Sequence, residues 1–72
     1  MEEMSKFSKR LKDLRTEHGM TQQHLANLLN IKQQSYIRYE YGTGEPSLDT
    51  LMKLAQIFEV TTDYLLGISD DY

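Results

Sequence analysis

TQQHLANLLNIKQQSYIRYE, residues 21–40, contains two short amphipathic helical patterns joined by about three residues. In the first, Leu25, Leu28 and Leu29 make an apolar stripe at helical spacing, and Ala26 is small enough for another helix to approach closely. Thr21 stands where an N-cap belongs, and Asn30 in the connecting turn tolerates the left-handed conformation that ends such a helix. In the second pattern, about Lys32 to Glu40, a wheel of roughly 100° per residue gathers Tyr36, Tyr39 and Glu40 on one side. Gln34, Arg38 and Tyr41 fall opposite, flanked by Gln33 and Ile37 on one edge and Ser35 on the other. One face therefore packs while the other is offered to a partner, and the two helices with their tight turn have the form of a helix-turn-helix.

The outward face has unusual chemistry. A helix that is merely solvated tends to carry Glu and Lys pairs at i, i+4. Here the face has amides, a hydroxyl, a guanidinium and an aliphatic Ile, and no carboxylate. Gln pairs bidentately with the N6/N7 edge of adenine, Arg reaches guanine or phosphate, and an aliphatic side chain meets a thymine methyl. Tyr36 and Tyr39 are read as core, each hydroxyl reaching the surface, because their spacing is helical.

Outward from this stretch the chain reads as helices separated by caps, with no strand alternation and no repeat. Phe7, Leu11 and Leu14 define a first helix from about Ser5 to His18, stopped by Gly19. The third helix ends at Gly42, and Gly42-Thr43-Gly44-Glu45-Pro46 is a loop by composition. Ser47 caps a fourth helix whose main stripe is Leu48, Leu51, Ala55 and Phe58, widened by Met52, Leu54 and Ile57. Thr61 caps a short fifth helix closed by Gly67. The expected fold is all-α, a five-helix domain over residues 5–67, with residues 1–4 and 68–72 as flexible tails.

Seventy-two residues allow one domain with a single small core. There is no cysteine, so disulfides and thiolate metal sites are excluded. His18 and His24 lack the further ligands a metal needs, and no nucleophile–base pair or glycine-rich phosphate loop is evident, so neither metal, cofactor nor enzymatic activity is expected. No run reaches the roughly 18 apolar residues that span a membrane, and MEEMSKF lacks the charge order of a secretion signal. The cytoplasm of a bacterium, near the nucleoid, is the expected location. Net charge is −3, but its distribution is uneven. Residues 5–44 carry seven Lys and Arg against three acids, whereas residues 45–72 carry one Lys against six acids. The positive half holds the outward helix, and local potential rather than total charge attracts a polyanion.

The order G-x-T-Q at 19–22, N-I-x-Q-Q-S at 30–35, Y-E-x-G at 39–42, P-S-L at 46–48 and V-T-x-D-x-L-L-G at 60–67 resembles the phage repressor and Cro-like (XRE) helix-turn-helix family. The resemblance covers about residues 5–67 and implies a lambda-repressor-like domain whose third helix enters the major groove, usually as a homodimer on a palindromic operator. It implies base reading by Gln33 and Gln34, and a Gln22 that holds a phosphate while bracing the first reading glutamine. Arg15 and Glu40 match a structural bridge between the first helix and the end of the third. Lys32, Ser35, Arg38, Tyr41 and Thr43 are the expected backbone contacts. Four departures stand out: Asn30 and Glu59 where glycine is usual, acidic Glu45 in a loop that often offers cations, and Ile37 at a usually polar place, read as a thymine-methyl contact.

The expected function is sequence-specific binding of double-stranded DNA as a transcriptional regulator, a repressor being the commoner case. Phage regulator, antitoxin, restriction-modification controller and host regulator are not separated by these residues. Dimerisation is expected through the acidic C-terminal part, around Ile57, Tyr64, Leu65 and Ile68. The alternative is a protein-interaction module using the same helix face, with Ile37 and Tyr41 docking on a protein.

Overall fold

The computed structural model describes residues 2–72, with side chains from residue 6 onward. Five helices follow one another, α1 (Glu2–Glu17), α2 (Gln22–Leu29), α3 (Gln33–Tyr41), α4 (Leu48–Phe58) and α5 (Thr62–Leu66), with no strand among the described residues. Each break has a local cause. Thr21 Oγ1 accepts from His24 N, Ser47 Oγ from Thr50 N and Thr61 Oγ1 from Tyr64 N, each within 3.1 Å, so three helices start on the side chain the sequence supplies. Helices α2 to α5 end on a left-handed residue whose N–H returns to the last turn: Asn30, Gly42, Glu59 and Gly67.

Glu59 occupies this conformation at φ 57° without the freedom of glycine, so α4 ends as a glycine-capped helix would despite the substitution. The first helix begins at Glu2, three residues before the expected Ser5. Met1 lies outside the described residues.

α1 packs on α3 and α5, α2 on α3 and α4, and α4 on α5, around a core in which Phe7, Leu11, Leu25, Tyr36, Leu54 and Leu65 are fully enclosed. The α1 stripe is as read, Phe7, Leu11 and Leu14 all being buried. Two other stripes are displaced. On α2, Leu25, Ala26 and Leu29 are buried but Leu28 stands half out, because the i, i+4 pair Leu25/Leu29 already faces the core.

On α4 the inward residues are Thr50, Leu54, Ala55 and Phe58, while Leu48 is 80 % and Met52 56 % exposed. The buried row passes through a threonine, which hydropathy alone places outside. Thr50 is tolerated there because its hydroxyl accepts from Ser47 Oγ at 3.1 Å, so no polar atom is orphaned.

The segment 68–72, read as a tail, lies back against α1. The Arg10 guanidinium donates to Tyr64 O (2.5 Å), Ser69 O (2.6 Å) and Asp70 Oδ1 (2.5 Å) and sits 4.2 Å above the Tyr64 ring. The Tyr72 ring covers Tyr64 at 4.7 Å between centroids. Among the described residues no helix is long and apolar enough to cross a membrane.

Candidate nucleic-acid interface

α3 is positioned by a cluster of polar groups around one carboxylate. Glu40, whose side chain is only 3 % exposed, accepts from Arg15 Nε at 2.6 Å and Nη2 at 3.3 Å, from Gln22 Nε2 at 3.1 Å and from the Tyr36 hydroxyl. Arg15 also donates to Met20 O at 2.8 Å, so α1, the α1–α2 turn, the start of α2 and the end of α3 meet at this point. Burial pushes the Glu40 carboxyl up, but the hydrogen bonds from Arg15, Tyr36 and Gln22 outweigh it and hold the group below its ordinary value of 4.5. Its bond to Glu40 raises the Arg15 guanidinium further, and burial, followed by the Glu40 bond, raises the Tyr36 phenol far above its ordinary value. All three groups therefore keep one protonation state near neutrality.

A second tie comes from Ser8, buried on α1, whose hydroxyl donates to Tyr39 O at 2.7 Å. It shares a carbonyl in the last turn of α3 with the Gly42 cap N–H, which reaches it at 3.3 Å.

Two details differ from the sequence reading. The Tyr36 hydroxyl does not reach solvent: the residue is fully buried and its phenol is bonded to Glu40. Gln22 braces Glu40 rather than the first reading glutamine, because the carboxylate at the end of α3 is the stronger acceptor within reach of its amide.

The outer face is uncommitted. The side-chain hydrogen bonds of α3 come from Tyr36, Arg38 and Glu40, which leaves Gln33, Gln34, Ser35 and Tyr41 without an internal partner among the described residues. Gln34, Lys32, Arg38, Tyr41 and Thr43 are exposed, and Gln33, Ser35, Ile37 and Gln22 half-buried. α3 has no side-chain cap at Lys32 and no acid in its first turn, so its free N–H groups and positive dipole end lie beside Gln33 and Gln34. Arg38 folds across Gly44 and donates to Thr43 O at 3.4 Å. A Cβ on Gly44 would stand 3.2 Å from Arg38 Cβ, so the glycine admits this close approach.

Two open clefts flank the end of α3. One is lined by Lys9, Lys12, Arg38, Tyr41 and Thr43 with Glu40 and Glu45, the other by Lys12, Arg15, Gln22 and Tyr41 with Glu40. Lys12 lies on the exposed side of α1, and only the packing of α1 on α3 brings it here.

The residues read as a dimer surface divide. Leu65 has no exposed surface and belongs to the core, since α5 is so short that its one apolar turn is needed to close the α1–α4 space. Ile57 and Tyr64 are half-buried, with Tyr64 between Arg10 and Tyr72, and Ile68 is 69 % exposed.

Five helices in this order, with a capped α2, a left-handed turn and a braced α3 presenting amides outward, define a helix-turn-helix domain of the repressor type. The Helix-turn-helix family model matches residues 11–65, and the chain belongs to that family. It is 50 % identical over 60 residues to the SPbeta prophage-derived HTH-type transcriptional regulator YonR of Bacillus subtilis, covering 83 % of this chain and 56 % of YonR. Against the cryptic phage CTXphi transcriptional repressor RstR of Vibrio cholerae it is 36 % identical over 64 residues, covering 89 % of this chain and 58 % of RstR. The chain thus spans little more than half the length of these relatives. The crystal structure of the restriction-modification controller protein C.AhdI from Aeromonas hydrophila superposes with a TM-score of 0.79 at 31 % identity, over 90 % of this chain and 98 % of that one.

Proposed function

We infer that this domain binds duplex DNA sequence-specifically as a transcriptional regulator, inserting α3 into the major groove. The observation that carries the reading is the contrast between the two sides of α3. Its inner side is fixed by Glu40, while Gln33 and Gln34 at its start have no partner among the described residues. A rigid helix with unspent amides at its groove-entering end is what direct readout needs. In this reading Gln33, Gln34 and Ile37 meet base edges, and Gln22, Lys32, Ser35, Arg38, Tyr41 and Thr43 hold the sugar-phosphate backbone. Gln22 has one constraint: with its NH₂ group engaged by Glu40, it contacts a phosphate through its second N–H or not at all.

A repressor role is supported by the likeness to RstR. The protein acts as a homodimer on an inverted repeat, in the bacterial cytoplasm at the nucleoid, without metal or cofactor. One observation favours the second reading, a protein-docking face: Tyr41 is 78 % exposed at the end of the outer side of α3.

Selection from a random duplex pool separates the two. Enrichment of an inverted repeat with half-site centres about 34 Å apart supports the DNA reading. Recovery of no motif by a folded, helical protein would transfer the outer face of α3 to a protein partner.

A further inference from the structure

The two clefts at the end of α3 share Tyr41 and one cation, Lys12 of α1. Arg15 is committed to Glu40 and Met20 O, and Lys9 pairs with Asp13 at 3.0 Å. Among the described residues no carboxylate is paired with Lys12, and Glu40, which also lines both clefts, is already held by Arg15, Gln22 and Tyr36. The free ammonium therefore stands beside the exposed Tyr41, between Gln22 on one side and Arg38 with Thr43 on the other. The polar groups on this edge are mostly hydrogen-bond donors around an unpaired cation, with Glu45 an exposed carboxylate on the first cleft, which suits a polyanion tracking across the end of α3 and does not suit a basic partner face.

We propose that Lys12 is a further phosphate-contacting residue, and that the Lys12 ammonium and the Tyr41 hydroxyl take the same backbone phosphate. This rests on the DNA-binding reading and extends it: the footprint includes α1, and the positive half of the chain contributes through a helix outside the helix-turn-helix. The phosphate bridges α1 and α3, the two elements that Glu40 and Ser8 already hold together.

The test is the salt dependence of duplex binding by the full chain, measured on a selected site and on random duplex. Lys12→Ala should weaken both by a similar factor, about five- to tenfold, and flatten the slope of log Kobs against log salt by about 0.9. Lys12→Arg should restore the slope. Lys6→Ala, at the cation beside Gly67 on the α5 side of α1, should change neither quantity. Combining Lys12→Ala with Tyr41→Phe should cost less than the product of the two single losses, because both remove contacts to one phosphate.

A wild-type protein that binds duplex with an ordinary salt slope, together with a Lys12→Ala variant of unchanged affinity and slope, overturns this assignment and leaves the DNA reading intact. A folded wild-type protein that binds no duplex overturns both. Multiplicative losses in the double variant overturn the shared phosphate.

Discussion

Glu40 concentrates more of the fold than any other polar side chain, and its behaviour with pH follows from its surroundings. Its folded pKa lies below the unfolded value, so its ion pair stabilises the protein fully above about pH 4.5 and the contribution disappears as pH falls through the lower, folded value. Glu40→Gln keeps the shape and most acceptor capacity but leaves Arg15 with no counter-charge, costing about 2 kcal/mol at pH 7. In urea titrations the gap between wild type and variant should close toward pH 3; an equal gap at pH 3 and pH 7 would refute the charge-based account. Glu59 is the complementary case, a residue whose backbone works against its side chain. At φ 57°, Glu59→Gly should stabilise by about 1 kcal/mol, raising Tm by some 4–8 °C. An unchanged or lower Tm would mean that unfolded-chain entropy outweighs the relieved strain. The bridge Arg15–Glu40 was legible through the family pattern, whereas the Gln22 and Tyr36 contributions were not, since they depend on two helices arriving at one carboxylate.

At the scale of elements, caps were more legible than faces. Thr21, Ser47, Thr61, Asn30, Gly42 and Gly67 act within one turn of chain, so their effect is local and readable from neighbours. The inward side of α4 depends on what covers it. Leu48 and Leu54 are equally apolar, yet one is 80 % exposed and the other fully buried. The buried row includes Thr50, whose burial depends on a hydroxyl partner that hydropathy does not register. For α3 the same logic worked, because two tyrosines and Glu40 leave only one side for the core. That division of faces yields the sharpest functional prediction. Gln33→Ala should cost roughly 1–3 kcal/mol on the selected site and relax preference at one base pair, while Lys32→Ala weakens all sequences alike and lowers the salt slope by about one unit. Equal losses on cognate and random duplex for Gln33→Ala would remove it from base reading.

For the whole molecule, the uneven charge makes two associations respond oppositely to salt. Residues 5–44 carry a net +4 and residues 45–72 a net −5, so the proposed DNA edge and the proposed dimer edge have opposite sign. The burial of Leu65 and the enclosure of Tyr64 leave Ile57 and the exposed Ile68 as the apolar surface for self-association. Asp63, Asp70 and Asp71 lie around it in sequence, and among the described residues only Asp70 is paired, through Arg10. Two copies meeting there bring like charges together, and that repulsion is screened as the Debye length shortens from about 10 Å at 0.1 M salt to about 3 Å at 1 M. DNA binding loses counterion release over the same range. Sedimentation equilibrium without DNA should therefore show self-association tightening with salt, while duplex affinity falls. Ile68→Asp should abolish that association and leave the helical content unchanged, since its side chain is mostly in solvent. A dimer that weakens as salt rises, or that survives Ile68→Asp, would place the two-fold contact elsewhere, with the exposed Leu48 and Met52 of α4 the next surface to test.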